Sequence, residues 1–146
     1  MSVRVVLPFA VVLLLTAADD PAKDAMKDED KLQGEWTMVS METLGAKHSE
    51  DDVKKYTLTI KGDRWTVTNA RTLSPGRTLK IDPSKEPKML DLTIKLGNQD
   101  KVSQGIYKLD GDTLTLCRTE ENGERPKEFK TTAESGILVV WKRAKK

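Results

Sequence analysis

The chain has a single cysteine, Cys117, and a single histidine, His48. An internal disulfide is therefore excluded, and the fold has to be held by an apolar core. A metal centre or a Ser-His-Asp triad would have to be built on His48 alone. It sits in a polar stretch beside Glu50, Asp51 and Asp52, where a solvated loop residue is expected instead of a ligand. A surplus of one charge is lacking too, with 25 basic residues against 23 acidic ones. Mixed surface charge gives no electrostatic footprint for nucleic acid or an anionic membrane. No Gly-rich phosphate cradle and no nucleophile elbow occurs. Beyond Leu15 no apolar run approaches the roughly 20 residues that span a bilayer.

What is present begins with a processing signal. Arg4 precedes an apolar stretch, Val5 to Leu15, broken only by Pro8. The small residues Thr16-Ala17-Ala18 follow, and Asp19-Asp20 ends the run. This layout reads as a secretory signal peptide over residues 1–18, cleaved near Ala18, which places the mature chain in the periplasm or outside the cell. Residues 19–31 are charged and poor in large apolar side chains, and read as a disordered, solvated leader with at most a short helical turn near Asp28 to Lys31. Residues 32–146 form the single domain. Without Arg4 the balance becomes 24 basic to 23 acidic residues, an ordinary soluble surface with no stable membrane insertion.

Within that domain the apolar period is two. Tyr56, Leu58 and Ile60 alternate with threonines and lysine, and Trp65 and Val67 do so after Gly62-Asp63. A tight turn at Gly62-Asp63 pairs Ile60 with Trp65 and Leu58 with Val67 on one sheet face. Asp110-Gly111-Asp112 does the same for Tyr107 and Leu109 against Leu114 and Leu116. Further strands are expected over 35–42, 78–82, 89–96, 127–131 and 137–143. One short helix is expected over 49–55, capped by Ser49 with Asp51 and Asp52 in its first turn. Eight or nine short strands with turns between them predict an all-β, antiparallel barrel of about eight strands with at most one short helix.

Leu32-Gln33-Gly34-Glu35-Trp36 carries a Gly-x-Trp at the start of the first strand. It resembles the opening motif of lipocalins. That likeness implies that Trp36 closes one barrel end against a cation of the last strand, Lys142 or Arg143, in a cation–π contact worth roughly 0.5–2 kcal/mol. A longer series falls in one order: Leu58 to Asp63, Lys80 to Pro83, Pro87 to Asp91, Gly105 to Cys117 and Glu124 to Phe129. Together these segments resemble an uncharacterised family of small exported domains, abundant in planctomycete bacteria and regarded as lipocalin-like. The resemblance implies a lipocalin-like barrel and export. It carries no activity and no site residues.

No catalytic constellation, metal site or cofactor is expected. Cys117 reads as a structural strand thiol, Asp110-Gly111-Asp112 as a hairpin turn and not a calcium loop, and the acidic pairs as solvated surface. Function then rests on the interior, lined by Trp36, Met38, Leu58, Ile60, Trp65, Val67, Leu90, Leu92, Ile94, Tyr107, Leu109, Leu114 and Leu116. A barrel of this size is either filled by its own side chains or holds one small ligand. A bound ligand would be a small apolar molecule touching Trp65 and Tyr107, with Leu58, Leu92 and Leu116 around it. The alternative is a solid barrel that docks an envelope protein through its loops or an outer strand face.

Overall fold

The structure, a computed structural model, describes residues 21–145. The expected signal peptide and its cleavage site lie outside those residues. The element order is α1 (Pro21–Leu32), β1 (Gly34–Thr43), β2 (Ala46–Lys47), α2 (Glu50–Val53), β3 (Thr57–Lys61), β4 (Arg64–Thr68), β5 (Arg77–Asp82), β6 (Lys88–Leu96), β7 (Gln99–Asp110), β8 (Thr113–Arg118) and β9 (Ile137–Arg143).

Neighbouring strands pair antiparallel in the order β2-β1-β3-β4-β5-β6-β7-β8-β9, and β1 also pairs with β9. That last pairing closes eight strands into a barrel, with β2 as a short arm on β1. The all-β antiparallel barrel read from the sequence is therefore the observed fold. Both expected hairpins form in the expected register. Ile60 faces Trp65 and Leu58 faces Val67, while Tyr107 faces Leu116 and Leu109 faces Leu114. Their turns need a left-handed backbone, which Gly62 (φ 61°) and Gly111 (φ 55°) supply without steric cost.

Strand β1 joins two neighbours because it is long and bulged. Its register against β9 shifts between Met38 and Ser40. Strict alternation from Trp36 and Met38 would turn Ser40 and Glu42 inward. The extra residue, Val39, is left 44% exposed, and the phase beyond it flips. Met41 then lies opposite Val139 and packs on the core.

The core is one cluster filling the barrel, with Trp36, Leu32, Leu58, Leu90, Tyr107 and Leu114 among its fully buried members. Fully burying each aliphatic side chain is worth roughly 1.5–3 kcal/mol. Of the expected interior set, Val67 and Leu109 are only partly buried. Gly105 sits where a side chain does not fit, because a Cβ there would lie 2.9 Å from the Cys117 carbonyl oxygen and 3.3 Å from Leu116.

Three expectations are corrected. The charged segment read as a solvated leader is helical from Pro21, and its last turns are docked, with Leu32 fully buried and Asp28 at 6% exposure. Burial of Leu32 and a polar partner for Asp28 outweigh the solvation of the remaining charges. The described residues consequently hold two short helices instead of one. The second spans Glu50–Val53, with the Ser49 hydroxyl accepting from the Asp52 amide at 3.2 Å as its N-cap. The strand expected over 127–131 does not form. The segment between β8 and β9 instead lies across the outer face of the sheet. Arg125 donates to the carbonyls of Gly105 (2.7 Å) and Leu90 (3.3 Å) and pairs with Asp91 (2.7 Å). That guanidinium takes the place of a strand's ladder bonds. Beneath the segment Cys117 is fully buried and donates to the Lys130 carbonyl at 3.5 Å.

Candidate functional site: the barrel end opposite the N-terminal helix

The two barrel ends differ in kind. One is sealed by α1 and the start of β1. Trp36 is fully buried and its indole N–H donates to the Leu32 carbonyl at 3.0 Å. The Arg143 guanidinium lies over the Trp36 ring, 4.2 Å from its centroid. Arg143 also donates to the Gln33 carbonyl at 2.9 Å and the Lys31 carbonyl at 2.5 Å, satisfying carbonyls at the end of α1. Asp28 accepts from the Tyr107 hydroxyl and from Lys88, both at 2.7 Å. Burial first, and the Asp28 carboxylate second, hold the Tyr107 hydroxyl far above its ordinary pKa of 10.0.

The opposite end holds a pocket of about 170 Å³. Its walls are apolar and aromatic: Met38 and Met41 from β1, Tyr56 before β3, Trp65 and Val67 from β4, Leu92 from β6, Leu116 from β8, and Ile137, Val139 and Trp141 from β9. Trp65 and Trp141 meet edge to face at 6.4 Å. The half-buried Ser74 and the exposed Pro75 form its rim.

Two arginines complete the lining, Arg77 and Arg118. Alternation explains both. Arg77 precedes Leu79 and Ile81 on the inward face of β5, and Arg118 follows Leu114 and Leu116 on the inward face of β8. Arg118 donates to the Ser103 hydroxyl at 2.9 Å and to the Thr119 carbonyl at 3.4 Å. Burial, and then the positive charge of Arg77, pull the Arg118 guanidinium down to about 10. One Arg77 nitrogen, Nη2, meets Glu121 at 3.3 Å, and Glu121 is shared with Lys101 at 3.6 Å. The other, Nη1, is buried and has no hydrogen-bond partner, as is the Trp141 indole nitrogen. A buried donor left unpaired costs about 1–3 kcal/mol, so its presence in a pocket wall is informative.

Of the five side chains expected around a ligand, Trp65, Leu92 and Leu116 line this pocket. Tyr107 and Leu58 do not. Both are fully buried in the core, and the Tyr107 hydroxyl is already committed to Asp28. The sequence reading missed Arg77 and Arg118, although the alternation that placed Leu116 inside, carried one step further, reaches Arg118.

His48 is exposed and bonds Thr43 Oγ1 at 3.0 Å. Among the described residues no group of three or more His, Cys, Asp or Glu side chains is placed to hold a metal ion, and no helix is long and apolar enough to cross a membrane. Searches with the chain against family models, curated proteins and solved structures found no match.

Proposed function

We propose that the protein is an exported, lipocalin-like barrel that binds one small molecule with an apolar body in the pocket opposite α1. The observation carrying this reading is the contrast between the two halves of one interior. The α1 half is filled by large side chains and capped by Asp28 and Arg143, its groove of about 470 Å³ being lined largely by the polar Glu29, Asp30, Gln33 and Asp63, whereas the other half leaves about 170 Å³ bounded by apolar side chains that include Trp65, Trp141 and Val139. An apolar cavity of about 150 Å³ holds a benzene-sized molecule, and drug-sized ligands need about 300 Å³ or more. The ligand is therefore small. The outer-face alternative is less well supported. Two apolar outward residues, Ile106 and Cys117, are already buried, leaving Val39, Leu44, Leu73 and Leu96 as the exposed large apolar side chains among the described residues, and Cys117 is bonded to the chain's own Lys130 carbonyl.

Tryptophan emission tests the reading, because two of the three tryptophans line the pocket. Adding benzoate, hexanoate, toluene or 1-hexanol to the folded protein should change that emission saturably for at least one of them. Val67→Phe, which fills the pocket from its half-buried wall, should abolish the response while leaving the circular dichroism spectrum unchanged. A linear, unsaturable response to all four compounds would refute the proposal.

A further inference from the structure

We infer that the pocket selects an anion: a small molecule whose apolar body lies against the Trp65 and Trp141 wall and whose carboxylate lies against Arg77 and Arg118. This deepens the preceding proposal and rests on it.

Two guanidiniums do not belong in the wall of a pocket meant for a neutral hydrocarbon. Each is costly to take out of water, and placing them together adds repulsion between like charges. The chain compensates only in part. Glu121 meets Nη2 of Arg77 and leaves Nη1 of the same guanidinium buried and unpaired. Glu121 is also drawn off by Lys101. Arg118 has protein partners that are both neutral, the Ser103 hydroxyl and the Thr119 carbonyl, and no carboxylate within 4.0 Å among the described residues. Among the described residues Glu121 is thus the one carboxylate paired with Arg77, and Lys101 competes for it. The position is therefore electropositive and one acceptor short.

A carboxylate supplies what is missing. Its two oxygens accept from planar N–H groups in the geometry that guanidinium favours. One such anion would pair Arg77 Nη1, offset the repulsion from Arg118, and leave its hydrocarbon end facing the methionine and tryptophan walls. A neutral alcohol or hydrocarbon of the same size would leave the arginines unpaired. A cation would add to the repulsion.

The test compares hexanoate, 1-hexanol and hexylammonium on the full-length protein, by tryptophan emission and isothermal titration calorimetry at pH 7. Hexanoate should bind about 10- to 100-fold more tightly than 1-hexanol, the ratio expected for hydrogen bonds to a charged group. Hexylammonium should not bind. Arg77→Gln should shrink the hexanoate preference by about tenfold while 1-hexanol binding stays within about twofold. Arg118→Lys, which keeps the charge and loses the fork, checks the second position if Arg118→Gln fails to fold. Equal binding of hexanoate and 1-hexanol would overturn the anion inference and leave the binding reading standing. No saturable binding by any of the three, nor by benzoate or toluene, would overturn both.

Discussion

The docking of α1 through Asp28 makes the sharpest stability prediction. Asp28 is buried, accepts from Tyr107 Oη and pairs with Lys88, both at 2.7 Å. Replacing Asp28 by Ala leaves the Tyr107 hydroxyl, 1% exposed, without its acceptor, which costs about 1–3 kcal/mol. The Lys88 side chain is 36% exposed, so loss of that ion pair adds at most about 1 kcal/mol. Asp28→Ala should therefore destabilise by about 1–4 kcal/mol. Tyr107→Phe alone loses a charged hydrogen bond, at about 1.5–3 kcal/mol, but Lys88 still neutralises the carboxylate. The double variant should cost less than the sum, by about 1–2 kcal/mol, because each change removes the group the other leaves unpaired. Urea unfolding followed by circular dichroism reads all three. At an m-value of about 1–3 kcal/mol/M, the Asp28→Ala midpoint should fall by about 1 M. Asp30→Ala, on the exposed face of the same helix, is the control and should stay within about 0.5 kcal/mol. An Asp28→Ala effect no larger than that of Asp30→Ala, with strictly additive behaviour alongside Tyr107→Phe, would refute the claim that α1 is part of the domain.

Two further predictions follow from titrating groups. Because the Tyr107 hydroxyl is held above its ordinary value of 10.0, the unfolded chain loses that proton first as pH rises. Its contribution is complete below pH 10 and falls above it by up to about 1.4 kcal/mol per pH unit. The stability gap between wild type and Tyr107→Phe, from urea midpoints, should thus narrow between pH 10 and 11. A constant gap would contradict the buried placement. Arg118, pulled down to about 10, acts with the opposite sign but equally in both proteins, so it cancels in the comparison. At the outer face, burial raises the Cys117 thiol above its ordinary range. Reaction with a disulfide reagent at pH 8 should be at least about tenfold slower in the native protein than in urea, and Arg125→Ala should speed it by loosening the covering segment. Native reaction at the denatured rate would show that Cys117 is uncovered.

The barrel was legible because period-two alternation and Gly-containing turns are local signals, and here they agreed with burial. Leu58, Ile60, Trp65, Leu114 and Leu116 turned inward as the pattern demands. Failures occurred where a tertiary partner replaced a local one. Residues 127–131 alternate like a strand, yet the neighbouring Arg125 bonds the carbonyls of Leu90 and Gly105 and holds this stretch of chain on the sheet surface. Asp28 looked like one more solvated acid, because its partner Tyr107 lies 79 residues away. The bulge at Val39 left no local trace, so the inward turn of Met41 could not be read from alternation.

The pocket was the least legible feature, and the reason is physical. An interior assignment made by selecting apolar side chains discards charged residues at inward positions, and those are the ones that carry information about a ligand. Leu114, Leu116 and Arg118 occupy successive inward positions of β8, as do Ile81, Leu79 and Arg77 on β5. Hydrophobic selection stops one step short on β8, and the expected interior included no residue of β5. The core needs only the first two residues of each series. The third reaches the end of the barrel opposite α1, where a buried and incompletely paired guanidinium lowers stability unless something else occupies the space. A chain that places arginine there on two separate strands, while sealing its other end with a cation stacked on Trp36 and a buried acid bonded to tyrosine, divides its interior into a filled half and a half with space, and the proposed binding role rests on that division.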